Sequence, residues 1–247
     1  MSKVKVAFQY YGELRYWDKI KTNISNYKKY IKNLDFTIDF YLCTWENEHT
    51  KKILSNGEFE IFKDVKLIKS PSRGKKIGKP KKGSTENREG ESVGIYNASY
   101  SMFYASYFRQ KYQSKNNIKY DWVLSSRPDM LINKEKFYIF NDQIINKQAL
   151  WIHEGEIPND YTLFYSDFKR QLNSKFIGYL NQNDNYMLGT EESINLYCRN
   201  FHLNFLFQNN YIPTYHSYVG HTIINYNLVV RTDDIGFNKN FQKLGNG

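Results

Sequence analysis

The sequence predicts an α/β fold in which a central, mostly parallel sheet is flanked by helices. Short runs rich in Val, Ile, Phe and Tyr recur along the chain, and between several of them apolar residues return at the helical spacings of three and four. At 247 residues, 40% hydrophobic and 17% aromatic, the chain can bury a sizeable core as one domain. We therefore expect a single domain over 1–247, with one flexible basic loop at about 70–91.

The first strand is expected over Val4 to Gln9, which alternates and then meets Gly12. From Lys19 to Ile31 the residues Ile20, Ile24, Tyr27 and Ile31 form one apolar stripe, a helix to lay against a sheet. Phe36 to Trp45 and Val65 to Ile68 read as further strands. Ser70 to Glu91 holds mostly Lys, Gly, Ser, Pro and Glu and has almost nothing to bury, so a mobile loop is expected there. Helical spacing returns from Ile95 to Tyr112, the polar stretch Gln113 to Lys119 ends it, and Tyr120 to Ser125 is the next strand. Later come a strand at Ala149 to His153, a helix at Glu191 to Phe207 capped by Thr190, and a strand at Leu228 to Arg231.

Composition narrows the function classes. No run approaches the roughly 20 apolar residues of a membrane span, and Met1 to Tyr11 has no signal-peptide h-region, so cytoplasmic residence is the expectation. Cys43 and Cys198 are isolated and apolar in setting, which predicts two reduced, buried thiols. The net charge of +10 raises nucleic acid as a partner, but Lys69, Arg73, Lys75, Lys76, Lys79, Lys81 and Lys82 supply most of it in one acid-free stretch. That stretch is either a solvated loop or a flap over an anionic ligand. Phosphate-binding Gly-x-x-x-x-Gly-Lys loops, serine nucleophile elbows and His-Glu-x-x-His helices are absent from the sequence.

The segment richest in chemistry runs Tyr120-Asp121-Trp122-Val123-Leu124-Ser125-Ser126-Arg127-Pro128-Asp129. A buried-type strand ends there in a charged pair, at the position where parallel sheets present side chains to ligands. Asp129 is suited to a divalent cation and Arg127 to a phosphate. The alternative is structural, with Asp129 capping a turn or pairing with Arg127.

Together with Gly12 and Arg15 after the first strand, Asp39 to Trp45 in the second, and Ser101-Met102-Phe103-Tyr104 in a helix, this segment resembles GT-A-type glycosyltransferases. The likeness is to those of polysaccharide loci and large DNA viruses, which for a viral chain means the host cytoplasm. It spans about Lys3 to Phe207. It implies a GT-A-like (Rossmann-like) fold, a nucleotide-diphospho-sugar donor, a glycan or polysaccharide acceptor, and a divalent cation, Mn or Mg.

The resemblance places Gln9, Gly12, Arg15 and Arg127 at the donor and Asp129 at the metal, with His216 and His221 completing its shell. Arg127 stands where the family's metal motif has its first acid, so the guanidinium itself is a candidate to neutralise the diphosphate. Asp184 falls on the acceptor side as a candidate base, with Glu191 as the other choice. Turn formation by the Asn/Asp cluster and helix-start acids are the competing readings of those two. A basic binding module for nucleic acid or an anionic polymer, and an inactive transferase-like domain, remain the alternative functions.

Overall fold

The computed structural model describes residues 3–31, 36–70, 89–129, 149–153, 183–207 and 229–231. Val4–Gly12 forms β1, Trp17–Ile31 α1, Phe36–Trp45 β2, Glu48–Ser55 α2 and Asp64–Ile68 β3. Glu89–Asn116 forms α3, followed by β4 (Trp122–Ser126), β5 (Ala149–His153), β6 (Asn183–Gly189), α4 (Glu191–Phe207) and β7 (Val229–Arg231). The strands join one sheet in the order β3-β2-β1-β4-β6-β5-β7. β1 pairs in parallel with both β2 and β4, β2 with β3, and β5 with β7, whereas β6 runs antiparallel to β4 and β5. The expected α/β architecture, with a central and mostly parallel sheet between helices, is the one observed.

The alternation of β1 explains why both sheet faces are covered. Val6, Phe8 and Tyr10 point into a core with Ile20 and Ile24 of α1, Ile53 of α2, and Phe59 and Phe62 from the segment after it. Ala7 and Tyr11 point the other way, towards Met102 and Ala105 of α3 and Ile194, Tyr197 and Phe201 of α4. Burying each of these larger side chains contributes about 1.5–3 kcal/mol. A strand buried on both sides is typical of a parallel sheet with helices on each face.

Several boundaries differ from the sequence reading. β1 extends to Gly12, because Tyr10 and Tyr11 are buried and pair with Leu42 and Cys43. α3 starts at Glu89, inside the expected loop, while 71–88 lie outside the described residues. It also continues through Gln113, a polar residue buried against Arg109. α2 was not anticipated, since only Thr50 and Ile53 are buried in it; Asn47 and Thr50 close its first turn as a reciprocal cap. The helix Glu191–Phe207 starts as expected, with Thr190 Oγ1 accepting from the Ser193 amide at 3.3 Å. Cys43 and Cys198 are free and buried, and burial pushes their thiols up to about 12 and about 11.

The core around α3 and α4 contains a buried guanidinium. Arg109 Nε donates to Gln9 Oε1 at 2.8 Å, and its two terminal nitrogens donate to Gln113 Oε1 and Asn195 Oδ1. Arg109→Met would strand two buried acceptors, Gln9 Oε1 and Gln113 Oε1, each costing about 1–3 kcal/mol, while Asn195 Oδ1 keeps its bond from the Ser106 hydroxyl. We expect a loss of about 3 kcal/mol in urea unfolding; a change within about 0.5 kcal/mol would contradict the stated role.

His202 is buried beside Phe103 and Tyr100, its ring centroid 5.3 and 5.7 Å from theirs, and Ser99 Oγ lies 3.1 Å from its Nδ1. Burial lowers its pKa to about 4, against about 6.5 in an unfolded chain. The unfolded state therefore binds more protons in this window, so the stability tied to neutral His202 is full above about pH 6.5 and lost as pH falls towards 4. Unfolding free energies measured across that window should decline less for His202→Phe than for the wild type, by about 2 kcal/mol.

Candidate functional site at the carboxyl rim of the sheet

The strand order fixes where chemistry can collect. β3, β2, β1 and β4 are parallel, α1 covers one face and α3 the other, and the order turns back between β1 and β4. In such sheets ligands sit at the carboxyl ends of the strands, where the order reverses. Gly12 ends β1 and Ser126 ends β4, and the register pairs Ser126 with Tyr10, so both strands open onto the same rim.

Gly12 has φ +99°, a backbone conformation that disfavours side chains, and no atom lies within 4 Å of where a Cβ would be. Beyond it, the Arg15 guanidinium donates to Glu13 Oε2 from Nε at 2.8 Å and from Nη2 at 2.5 Å. That carboxylate raises the Arg15 pKa, and Arg15 also feels the charges of Arg127 and Asp129. Arg127 in turn grips Asp129 with one edge of its guanidinium, Nε to Oδ1 at 3.0 Å and Nη2 to Oδ2 at 2.6 Å. The pair is asymmetric, with 40% of the Arg127 side chain exposed and only 12% of Asp129. The sequence-predicted Gly12, Arg15, Arg127 and Asp129 are thus brought to one rim.

Gln9 is different. It is fully buried, its Nε2 donates to Ser125 Oγ at 3.0 Å, and its Oε1 accepts from Arg109. A direct contact with a bound nucleotide would require that network to open. Asp184 belongs to β6 rather than to a turn. Tyr186 pairs with Ser126 in antiparallel register, which carries the Asp184 backbone, two residues earlier, past the end of β4 on the rim side. His216 and His221 lie outside the described residues, as does most of the basic stretch, from Arg73 to Lys82.

Glu191 does not join this site. Its Oε2 accepts from the Tyr120 amide at 3.1 Å, before β4 begins, roughly 20 Å along the strand direction from Arg127. The antiparallel course of β6 delivers α4 to the amino end of β4, which the sequence reading had no means to foresee. Glu191 there lines a groove of about 840 Å³ between α3 and α4, together with Phe103, Tyr107, Asn195 and Arg199.

Two rim residues were missed. Glu13 holds Arg15, and a carboxylate two residues from an arginine was the available signal. Thr44, opposite Gly12 in the β1–β2 register, is fully buried with no hydrogen-bond partner for its Oγ1 among the described residues. Nothing in the sequence marks it. Trp45 is half-buried at the end of β2 and stacks on Tyr100 with centroids 6.3 Å apart.

The described residues do not assemble a metal site. No three His, Cys, Asp or Glu side chains converge among them, and both oxygens of Asp129 are engaged by Arg127. Also among the described residues, no helix is long and apolar enough to cross a membrane.

No family model matches the sequence. No curated protein matches it either. Among solved structures, the chain is similar to the apo form of the glycosyltransferase GlyE of Streptococcus pneumoniae TIGR4, at 10% identity and a TM-score of 0.44. That match covers 95% of this chain and 46% of GlyE, so the chain spans about half of GlyE's length. It is also similar to apo mouse xyloside xylosyltransferase 1, at 9% identity and a TM-score of 0.44, over 95% of this chain and 86% of that one. At these values neither protein's activity is carried over to this chain.

The separation of Glu191 from the rim gives a direct comparison. Glu191→Gln should leave binding of an anionic rim ligand within about twofold while costing about 1 kcal/mol of stability. Arg127→Ala should weaken the same binding by tenfold or more, a loss of about 1.4 kcal/mol. Isothermal calorimetry separates the two, and the opposite ranking would move the site to the α3–α4 groove.

Proposed function

We propose that this chain is a glycosyltransferase that moves a sugar from a nucleotide-diphospho-sugar donor onto a glycan or polysaccharide acceptor. One observation carries the reading: Gly12, Arg15, Arg127 and Asp129 meet at the carboxyl ends of β1 and β4, the switch point of a doubly wound sheet. The resemblance noted in the sequence, which rests in part on the same residues, points the same way.

In this reading the donor's nucleotide lies over the ends of β1 and β2, where Gly12 permits close backbone approach. Its diphosphate faces Arg127 and Arg15. As the bond from sugar to diphosphate breaks, negative charge grows on the leaving oxygen, and fixed guanidinium donors stabilise that charge more than the ground state. A carboxylate on the acceptor side takes the proton of the attacking hydroxyl in an inverting transfer, and Asp184 is the rim residue proposed for it.

A thermal-shift panel of nucleotide sugars tests the donor. A ligand at about 100 times its Kd stabilises by about 2.7 kcal/mol, which in a chain of this size raises the melting temperature by about 5 °C or more. Asp184→Asn should keep that shift and lose at least about a hundredfold in transfer rate. Full turnover by the variant would remove Asp184 from the mechanism. A binding module built on the 69–82 cations would instead show no donor shift, and its polyanion binding would weaken steeply with salt.

A further inference from the structure

The geometry points to metal-independent donor binding: we propose that Arg127, seated on Asp129 and assisted by Arg15, neutralises the donor diphosphate in place of a divalent cation. The inference rests on the donor reading above and adds how the site handles charge.

Three features of the rim converge on it. The first is occupancy. A cation at Asp129 needs at least one carboxylate oxygen, and Arg127 engages both, at 3.0 and 2.6 Å. Bidentate guanidinium–carboxylate pairs are among the strong, directional contacts available to side chains. A metal would have to share an oxygen with a guanidinium N–H and sit beside its positive charge.

The second feature is layering. Asp129 is the covered member of the pair and Arg127 the outward one, 12% against 40% exposed. A ligand arriving from solvent meets the guanidinium, with the carboxylate behind it. Such an acid orients the planar fork instead of presenting itself to a cation, and an oriented fork matches the oxygens of a phosphate.

The third is the surrounding field. Arg15 lies close enough to feel both Arg127 and Asp129. A doubly charged cation at Asp129 would sit against the Arg127 guanidinium, whereas a diphosphate on the more exposed side of the pair would meet that guanidinium first. Glu13, which holds Arg15 and is about half exposed, offsets part of the Arg15 charge, so Arg127 takes the larger share of the phosphate. Asp129 acts here through Arg127 and is a positioning residue.

The test is calorimetric titration of the whole chain with UDP, GDP, ADP and dTDP, each in EDTA and again in Mn or Mg. Circular dichroism confirms that each variant is folded. The inference expects at least one diphosphate to bind in EDTA with a Kd within about threefold of its value in metal. It expects Arg127→Lys, which keeps the charge but loses the fork, to weaken binding at least tenfold, and Asp129→Asn to weaken it several-fold without creating a metal requirement. Binding that needs metal and disappears in Asp129→Asn would overturn the inference and leave the donor reading standing. Binding in EDTA that Arg127→Lys does not change would also overturn it. If no diphosphate binds in either condition, the inference and the donor reading fall together.

Discussion

Arg109 ties together the parts of the molecule on which the rim depends. Its guanidinium is fully enclosed and is met by neutral amides from β1, from α3 itself and from α4. Burial pulls its pKa down from the ordinary value, with Glu191 the main opposing influence. Enclosing a cation without a directly bonded carboxylate is costly, and it is tolerated only when its donors find well-placed acceptors. Gln9 relays the contact to Ser125 on β4 and to the Cys198 thiol on α4. One side chain therefore links the two central strands to both helices of that face. A shift of β1 against β4 by one residue would break the relay and also separate Gly12 from Arg127.

That constraint explains why chemistry collects where it does. β1 and β4 are neighbours only because the chain crosses from one face of the sheet to the other after β3, through α3. Gly12 and Arg127 are more than a hundred residues apart in sequence, yet their strands end side by side. The acids and arginines that follow these strands lie beyond the last backbone pairs, so they are free of the alternation that buries every residue of β4. A charged pair can persist there because one side of it faces solvent.

Much of the framework was legible because local and tertiary preferences agree. α4 was read with both ends correct, since its cap, its acidic first turn and its apolar spacing point the same way. β2 and β5 were equally direct. β6 was not: Asn183-Asp184-Asn185 has the composition of a turn, and only pairing to β4 and β5, with Met187 and Leu188 fully buried, makes it a strand. Arg109 was invisible because a single arginine in a helix normally faces water. In the site, Arg127 and Asp129 were legible as a charged pair ending an apolar strand. Their mutual grip was one of two readings that spacing alone left open. Glu191 was misplaced because nothing local reports that β6 runs backwards.

The central claim is that the Arg127 fork, held by Asp129, meets a diphosphate at the carboxyl ends of β1 and β4. A crystal structure of the chain with its tightest-binding nucleoside diphosphate tests it most directly. The account predicts phosphate oxygens about 2.7–2.9 Å from the Arg127 nitrogens, with the nucleoside over Gly12 and Thr44. A diphosphate seated in the α3–α4 groove, or one at the rim with Arg127 turned away from it, would contradict that claim.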